Sequence, residues 1–342
     1  MLLRFAAVLS QQKYEKKERV NTMEMIMKIN SALNALVWGA PALILIVGTG
    51  LYMSVRLGFP QFRKFVFVCK NVVGKIFSKT EQKEGAVTPF QAMCTALAGT
   101  VGTGNIAGVC GAIAIGGPGA VFWMWLAAFF GMMTNFSENL LGIYYRRRNK
   151  DGEWSGGPMY FLKDGLGVHY GKKWLKPVAN VLAVLFALFT ILASFGIGNM
   201  AQINKIVLNM DAAFFQNASL GMIPGTEINI IHLIIGIGLL IIGALIIIGG
   251  LQRIARVAEI VVPFMAVAYV IGSLIIFGIN IKQVGPMFVS IFKFAFTPAA
   301  MLGGGIGVLI KKTMTQGFKR GVFSNEAGLG SSVMVHSNSN VK

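Results

Sequence analysis

The residues best suited to binding chemistry lie in one short stretch, 99–108, in which glycines alternate with Thr and Asn. Thr100, Thr103 and Asn105 supply two hydroxyls and an amide there. They lie within a charge-free segment, 85–137. A hydrocarbon core about 30 Å thick is crossed by roughly 20 apolar residues as helix, whereas glycine is a poor helix former. Irregular backbone at that depth is tolerated only beside a cavity or a ligand, so this stretch is the first candidate for a substrate site.

A helix interrupted here would present two ends of opposite polarity. The first half would end near Gly99 to Gly102 with free carbonyls, and the second would begin near residues 103–105 with free N–H groups. The carbonyls can hold Na⁺ or an ammonium group, because a hard cation prefers oxygen ligands. The N–H groups are predicted to hold a carboxylate. Such an interruption suits a small zwitterion that travels with a cation.

Two other interpretations of the same glycines remain to be weighed. Gly104 and Gly108 form a small-xxx-small pair, which also lets helices approach closely. A dinucleotide-binding loop is disfavoured, because the glycine spacing differs from the fingerprint and no strand precedes it.

The composition is that of a polytopic membrane protein. The chain is 55% hydrophobic and 13% charged, with a mean hydropathy of +0.66, whereas soluble domains carry roughly 25% charged residues. The net charge of +18 does not indicate nucleic-acid binding, because the basic residues fall in loops between apolar spans. The three cysteines have no metal-ligand spacing, so a transition-metal site is not predicted.

Uncharged intervals give the predicted organisation, a tail over 1–27 and one transmembrane domain over 28–342. The predicted spans cover residues 32–55, 89–115, 119–144, 177–204, 228–250, 257–279 and 294–311.

Loop charge predicts the orientation. Alternate loops carry twenty-one Lys and Arg against three in the opposite set, so loops 56–88, 146–176 and 312–330 are predicted to be cytoplasmic. The N-terminus would then lie outside a cell (inner) membrane that the chain crosses several times.

The last predicted span repeats the interruption. Gly303, Gly304 and Gly305 fall in its middle, where each would cost a continuous helix roughly 1 kcal/mol. Two glycine-interrupted spans that run in opposite directions indicate an inverted-repeat transporter.

Five motifs in order closely resemble the alanine or glycine:cation symporter family, over about residues 25–332. They are GTVGTGNIAG at 99–108, GGPMYFL at 156–162, FGIGNM at 195–200, GLQRIARVAE at 250–259 with VPFM at 262–265, and RGVFSNEAGLG at 320–330.

The resemblance implies an all-α, LeuT-type (APC superfamily) inverted-repeat fold with one extra N-terminal transmembrane helix. It also implies sodium-coupled symport of alanine or glycine by alternating access. Na⁺ would be the coupling ion, with no other cofactor, no enzymatic activity and no nucleic-acid partner. The lipid bilayer would be the remaining partner.

Site residues follow from the resemblance position by position. The family's unwound helix falls on Thr100 to Asn105 and its partner on Gly303 to Gly305, with sodium near the carbonyls of Gly99 and Gly102. The implied substrate-binding residues are Thr100, Thr103, Gly104, Asn105, Phe195, Asn199, Gln202, Gly303, Gly304 and Gly305.

Some of these residues have an ordinary structural alternative. Asn199 and Gln202 share one helix face and would serve equally for hydrogen bonds between helices, and Phe195 for packing. Glu138 is interpreted as a structural carboxylate that reaches headgroups or basic neighbours. Glu326 either caps a helix or contacts a gate. His232 has no acid at helical spacing, so a proton relay is not predicted.

A LeuT-type fold has ten core spans, and this sequence supplies six, so we expect an incomplete fold that is truncated at its C-terminal end. The alternative function is therefore a non-transporting remnant or a membrane partner subunit. A membrane enzyme has no support, because no catalytic constellation shares a common depth.

Overall fold

A computed structural model describes most of the chain beyond residue 22. The described residues are 23–72, 74, 86–150, 152–169, 172–215, 220–223, 226, 228–296 and 306–341. Gly303, Gly304 and Gly305, three of the predicted site residues, lie outside them.

The described residues are predominantly helical, with one short antiparallel strand pair. The α-helices are α1 (23–37), α2 (Ala40–Arg56), α3 (Pro60–Arg63), α4 (Phe65–Val72), α5 (Pro89–Thr100), α6 (Thr103–Gly116), α7 (Ala120–Tyr144), α8 (Pro158–Phe161), α9 (Leu175–Phe195), α10 (Ala201–Met210), α11 (Ile230–Ile247), α12 (Gly250–Ile279), α13 (Ile281–Phe296), α14 (Ile306–Asn325) and α15 (Ser331–His336). Strands β1 (Arg147–Arg148) and β2 (Trp154–Ser155) pair between α7 and α8.

Six helices in this part of the chain are long and apolar enough to cross a membrane. They are Met23–Arg56, Pro89–Gly116, Ala120–Tyr144, Leu175–Phe215, Ile230–Ile247 and Gly250–Ile279. Large apolar side chains face outward, as at Phe264, which is 76% exposed. The residues that are fully buried between helices include several alanines, such as Ala92, Ala120 and Ala255 at 0%, as expected where small residues let helices approach. The chain is therefore a polytopic membrane protein.

The central helix of this assembly is α7. On one side it meets α2, where Gly50 faces the backbone of Phe130 so closely that a side chain would overlap it. Thr134 Oγ1 also donates to the Ile46 carbonyl at 3.1 Å. On the other side it meets α14, whose Gly317 and Gly321 lie against the α7 backbone with no room for a side chain. Small residues thus bring three helices into backbone contact.

Helix α14 differs from the sequence expectation. We predicted a span over 294–311 followed by a loop over 312–330, but the helix extends from Ile306 to Asn325. The prediction ended the span at Lys311 because charge is unfavourable in lipid. The helix continues because Gly317 and Gly321 fit against α7 and because Thr313 Oγ1 donates to the Gly116 carbonyl at 2.7 Å.

The helix that begins at Leu175 also extends beyond the predicted range of 177–204 and reaches Phe215. It contains two π-helical segments, Gly196–Met200 and Asp211–Phe215, on either side of α10. Such wide turns are rare and often mark functional sites. Lys205 follows the predicted span and is one of the three basic residues counted in the opposite set of loops. In the structure it is part of a continuous helix.

Residues 337–341 are held by a single guanidinium. Arg146, just beyond α7, donates to the carbonyls of Ser337, Ser339 and Val341 at 3.1, 2.7 and 2.9 Å. Burial, and next the charge of Arg148, lowers the pKa of Arg146 from its usual value, but an arginine remains cationic in proteins. The same segment exchanges backbone hydrogen bonds with Val87, the residue two positions before α5.

Replacing Arg146 with methionine is expected to release this segment. Three charge-assisted bonds are lost, each worth about 1.5–3 kcal/mol where the acceptor is buried. The amides of Val87 and Asn340 should then exchange with deuterium at least about tenfold faster, since tenfold corresponds to only 1.4 kcal/mol. Arg148→Met is the matched control, because Arg148 stacks on the Trp154 ring at 5.0 Å. If the amides of Val87 and Asn340 exchanged at the same rate in both variants, Arg146 would not be the residue that holds this segment.

Candidate binding site at the helix break

The membrane-length helix Pro89–Gly116 is interrupted at two residues. Helix α5 ends at Thr100 and α6 begins at Thr103, with Val101 and Gly102 in extended conformations. A capping box formed by Thr88 and Gln91 fixes the start of α5. At the other side of the break, Gly102 offers no side chain to cap α6. The first N–H groups of α6 therefore lack a side-chain cap.

Asn105 connects both halves of the helix to α14. Its Nδ2 donates to the Thr100 carbonyl at 3.2 Å, across the break. Its Oδ1 accepts a short hydrogen bond from Ser324 Oγ, at the end of α14. Asn105 was predicted to bind substrate, and in the structure its amide satisfies groups of the protein itself.

Gln202 lies directly against Gly102. A Cβ added to Gly102 would be 2.9 Å from Gln202 Oε1 and 3.2 Å from Nε2. A side chain at position 102 would therefore meet the amide of Gln202 and displace it. The Gly102 carbonyl, a predicted sodium ligand, accepts the Asn105 N–H at 3.0 Å. The structure thus brings together two predicted residues that are 100 positions apart.

Arg320 of α14 occupies the face of α6 that Gly104 and Gly108 leave open. Its Nη1 donates to the Gly104 carbonyl at 3.4 Å, and its guanidinium lies 5.4 Å from the centre of the Phe323 ring. A side chain at Gly108 would overlap the guanidinium. The small-xxx-small pair Gly104 and Gly108 therefore does make room for a neighbouring helix, α14, which contacts it through the side chain of Arg320.

A cavity of about 410 Å³ opens beside the break. It is lined by Thr103, Lys205, Ile206, Asn209, Met210, Ala213 and Phe214, so its wall is formed mainly by α10 and the π-helical segment that follows. Lys205 and Asn209 are one helical turn apart, and Asn209 Nδ2 donates to the Lys205 carbonyl at 2.7 Å. Thr103, the first residue of α6, connects the cavity to the break.

The other predicted residues take different positions. Thr100 Oγ1 donates to the Ala96 carbonyl at 2.8 Å, within its own helix. Phe195 is 66% exposed at the end of α9. Asn199 is exposed within the π-helical segment Gly196–Met200. Among the described residues, neither of the last two contributes to the cavity lining.

Glu138 serves a role that the sequence did not suggest. Its carboxylate accepts the N–H of Gly328 at 3.1 Å and lies close to the N–H of Gly330. Both glycines have left-handed backbone conformations, at φ 82° and 74°, and successive N–H groups in such turns form anion-binding concavities. The structural interpretation of Glu138 is supported, but its partner is a backbone loop rather than headgroups or basic side chains.

His232 has an acid partner that helical spacing could not reveal. Its Nε2 lies 2.8 Å from Asp211 Oδ2. Asp211 belongs to the π-helical segment after α10, so this pair ties the cavity wall to the start of α11.

Sequence reasoning missed Ser324, Arg320 and Lys205 as neighbours of the break. The first two belong to the motif at 320–330, but nothing in their spacing shows that Ser324 meets a residue 219 positions earlier. Lys205 had a signal, because a charged residue within an apolar helix is a functional candidate by default.

Comparison with known proteins gives a consistent result. The family model described as "Sodium:alanine symporter family" matches residues 23–342. An uncharacterized transporter of Haemophilus influenzae is 45% identical over 307 residues, which are 90% of this chain and 61% of that protein. The sodium/alanine symporter AgcS of Methanococcus maripaludis is 44% identical over 309 residues, 90% of this chain and 62% of AgcS. The chain thus spans about three fifths of the length of these relatives.

Proposed function

Because the chain belongs to the sodium:alanine symporter family, we propose that it takes part in sodium-coupled symport of alanine or glycine across the cell membrane. The observation that carries this proposal is the break between α5 and α6. It joins a helix C-terminus to an uncapped helix N-terminus in the middle of a membrane-length helix.

The two ends of the break suit the two charges of an amino acid. The N–H groups of Thr103 and Gly104 begin α6 and carry the positive end of its dipole, which favours a carboxylate. The carbonyls that end α5 carry the negative end, which favours sodium or an ammonium group. A substrate with both charges a few ångströms apart can bridge the break.

The cavity beside Thr103 favours a substrate with a small apolar side chain or none. Ile206, Met210, Ala213 and Phe214 form most of its wall, beside Lys205, and apolar groups gain from contact with such a wall. Alanine and glycine satisfy this requirement.

Transport by alternating access would use the break as a hinge. Val101 and Gly102 lie outside both helices, so α5 can tilt without disrupting α6. In this mechanism sodium binding stabilises an outward-open state, and the substrate completes the site before the change of access. The proposed orientation places the N-terminus outside and the basic loops in the cytoplasm.

We expect the purified chain, reconstituted in liposomes, to take up labelled alanine only under an inward sodium gradient. Because transport is coupled, an ionophore that dissipates the gradient should abolish accumulation, and potassium should not replace sodium. Liposomes without protein give the background. Alanine uptake at the same rate with and without a sodium gradient would contradict coupling. No uptake at all would favour the non-transporting alternative.

A further inference from the structure

The loop between α14 and α15, residues 326–330, directs an acidic side chain toward the break. Glu326 has a left-handed backbone conformation, with φ 52°. This conformation is uncommon for a residue other than glycine, because its Cβ crowds the following carbonyl. Strain of this kind persists where surrounding contacts enforce it, and it is concentrated at functional sites.

The contacts that enforce this conformation come from α7. The Glu138 carboxylate accepts the N–H of Gly328 and lies close to the N–H of Gly330. Between them and Glu326 lies Ala327, which is 1% exposed and faces Gly131 of α7. The loop is therefore fixed to the central helix, and Glu326 is held in a defined position.

The Glu326 carboxylate lies beside Gly99, near the end of α5. A Cβ on Gly99 would be 3.9 Å from each carboxylate oxygen. Ser331 Oγ donates a short hydrogen bond to Oε2. The ion pairs found among the described residues, Arg147–Asp164 and His232–Asp211, do not include Glu326. The nearest basic residue of its own motif, Arg320, faces α6 instead.

This arrangement places two negative groups together. The C-terminus of α5 carries about half a negative charge, and Glu326 adds a full one at the depth of the break. A carboxylate within a membrane is unfavourable unless a positive charge or backbone N–H groups accompany it, as they do at Glu138, whereas the donor that meets the Glu326 carboxylate is a neutral hydroxyl. On the α6 side the polarity is reversed, since Arg320 adds its charge to a helix N-terminus. The break is thus negative at the end of α5 and positive at the start of α6.

We propose that Glu326 is a binding residue for a cation at the α5 end of the break. The cation is the coupling Na⁺ or the ammonium group of the amino acid, which share the same electrostatic requirement. This inference rests on the proposed function, and it assigns to Glu326 the charge that the carbonyls of α5 only partly supply.

The test compares Glu326→Gln with wild type in two equilibrium measurements on the full chain in lipid nanodiscs. One titrates labelled sodium without amino acid, and the other titrates labelled alanine at saturating sodium. Glutamine keeps the shape and can still accept from Ser331, so only the charge is lost. Loss of a charged contact worth at least 1.4 kcal/mol is expected to weaken one of these affinities about tenfold or more.

The two titrations distinguish the sources of the cation. A shift in the sodium titration assigns Glu326 to Na⁺, and a shift confined to alanine assigns it to the ammonium group. Ser331→Ala removes the hydrogen bond to Glu326 and leaves the charge in place, so a loss equal to that of Glu326→Gln would show a merely structural role and overturn the proposal. If Glu326→Gln bound sodium and alanine as tightly as wild type, the role of Glu326 would be overturned and the proposed function would stand. Absence of binding by the wild-type chain would overturn the proposed function as well.

Discussion

Replacing Asn105 with leucine is expected to weaken alanine binding strongly while the protein remains folded. The side chain joins Thr100 across the break to Ser324 of α14. Without it, a carbonyl and a hydroxyl lose their partners, at a cost of about 1–3 kcal/mol each where water is excluded. The two helix ends would no longer be held at the spacing that a zwitterion needs. We expect the affinity for alanine to fall by about 100-fold, which corresponds to about 2.8 kcal/mol.

One variant separates the arms of this bridge, since Ser324→Ala removes the contact to α14 and leaves the bond to Thr100 in place. It should produce a smaller loss than Asn105→Leu, measured by titration of labelled alanine at saturating sodium. Monodisperse elution and an unchanged helical circular-dichroism spectrum would show that the fold is intact. Wild-type affinity in folded Asn105→Leu would remove this residue from the site.

Replacing Glu138 with leucine is expected to cause the greatest loss of stability among these substitutions. The N–H of Gly328 would lose a charged acceptor, and such a bond contributes about 1.5–3 kcal/mol. The loop that carries Glu326 would detach from α7, and the left-handed conformations would lose the contacts that maintain them. We expect the free energy of unfolding to fall by about 3 kcal/mol.

Chemical denaturation in detergent micelles, followed by circular dichroism, measures this loss. Glu138→Gln keeps one acceptor oxygen and should retain most of the stability. Glu24→Gln is the surface control, because Glu24 is an exposed residue of α1. Equal stability of Glu138→Leu and wild type would show that the carboxylate does not hold the loop.

The sequence predicted the break because its signals are local. Glycine, threonine and asparagine within a charge-free segment have low helix propensity, and the structure interrupts the helix at Val101 and Gly102. The interruption is narrower than the predicted range Thr100 to Asn105, since Thr103 and Asn105 already belong to α6. Gln202, chosen because it shares a helix face with Asn199, does contact Gly102.

The partners of the break could not be predicted, because they depend on how distant helices pack. Ser324 contacts Asn105 because α14 extends along α6. That extension depends on Gly317 and Gly321, which fit against α7. Hydropathy assigned the same residues to a loop because they contain Lys and Arg. His232 and Asp211 are likewise joined by a contact between helices, which no periodicity within one helix encodes.

The π-helical segment Gly196–Met200 has a consequence for the cavity wall that follows it. A π turn accommodates one more residue than an α turn, and each residue advances a helix by about 100° around its axis. The segment therefore determines the direction around the helix axis in which each later side chain of this helix points. Removal of one residue there would rotate Lys205, Asn209 and Phe214 away from Thr103 together, although each would remain helical. The composition of the cavity is thus decided by the winding of the helix as much as by the side chains it carries.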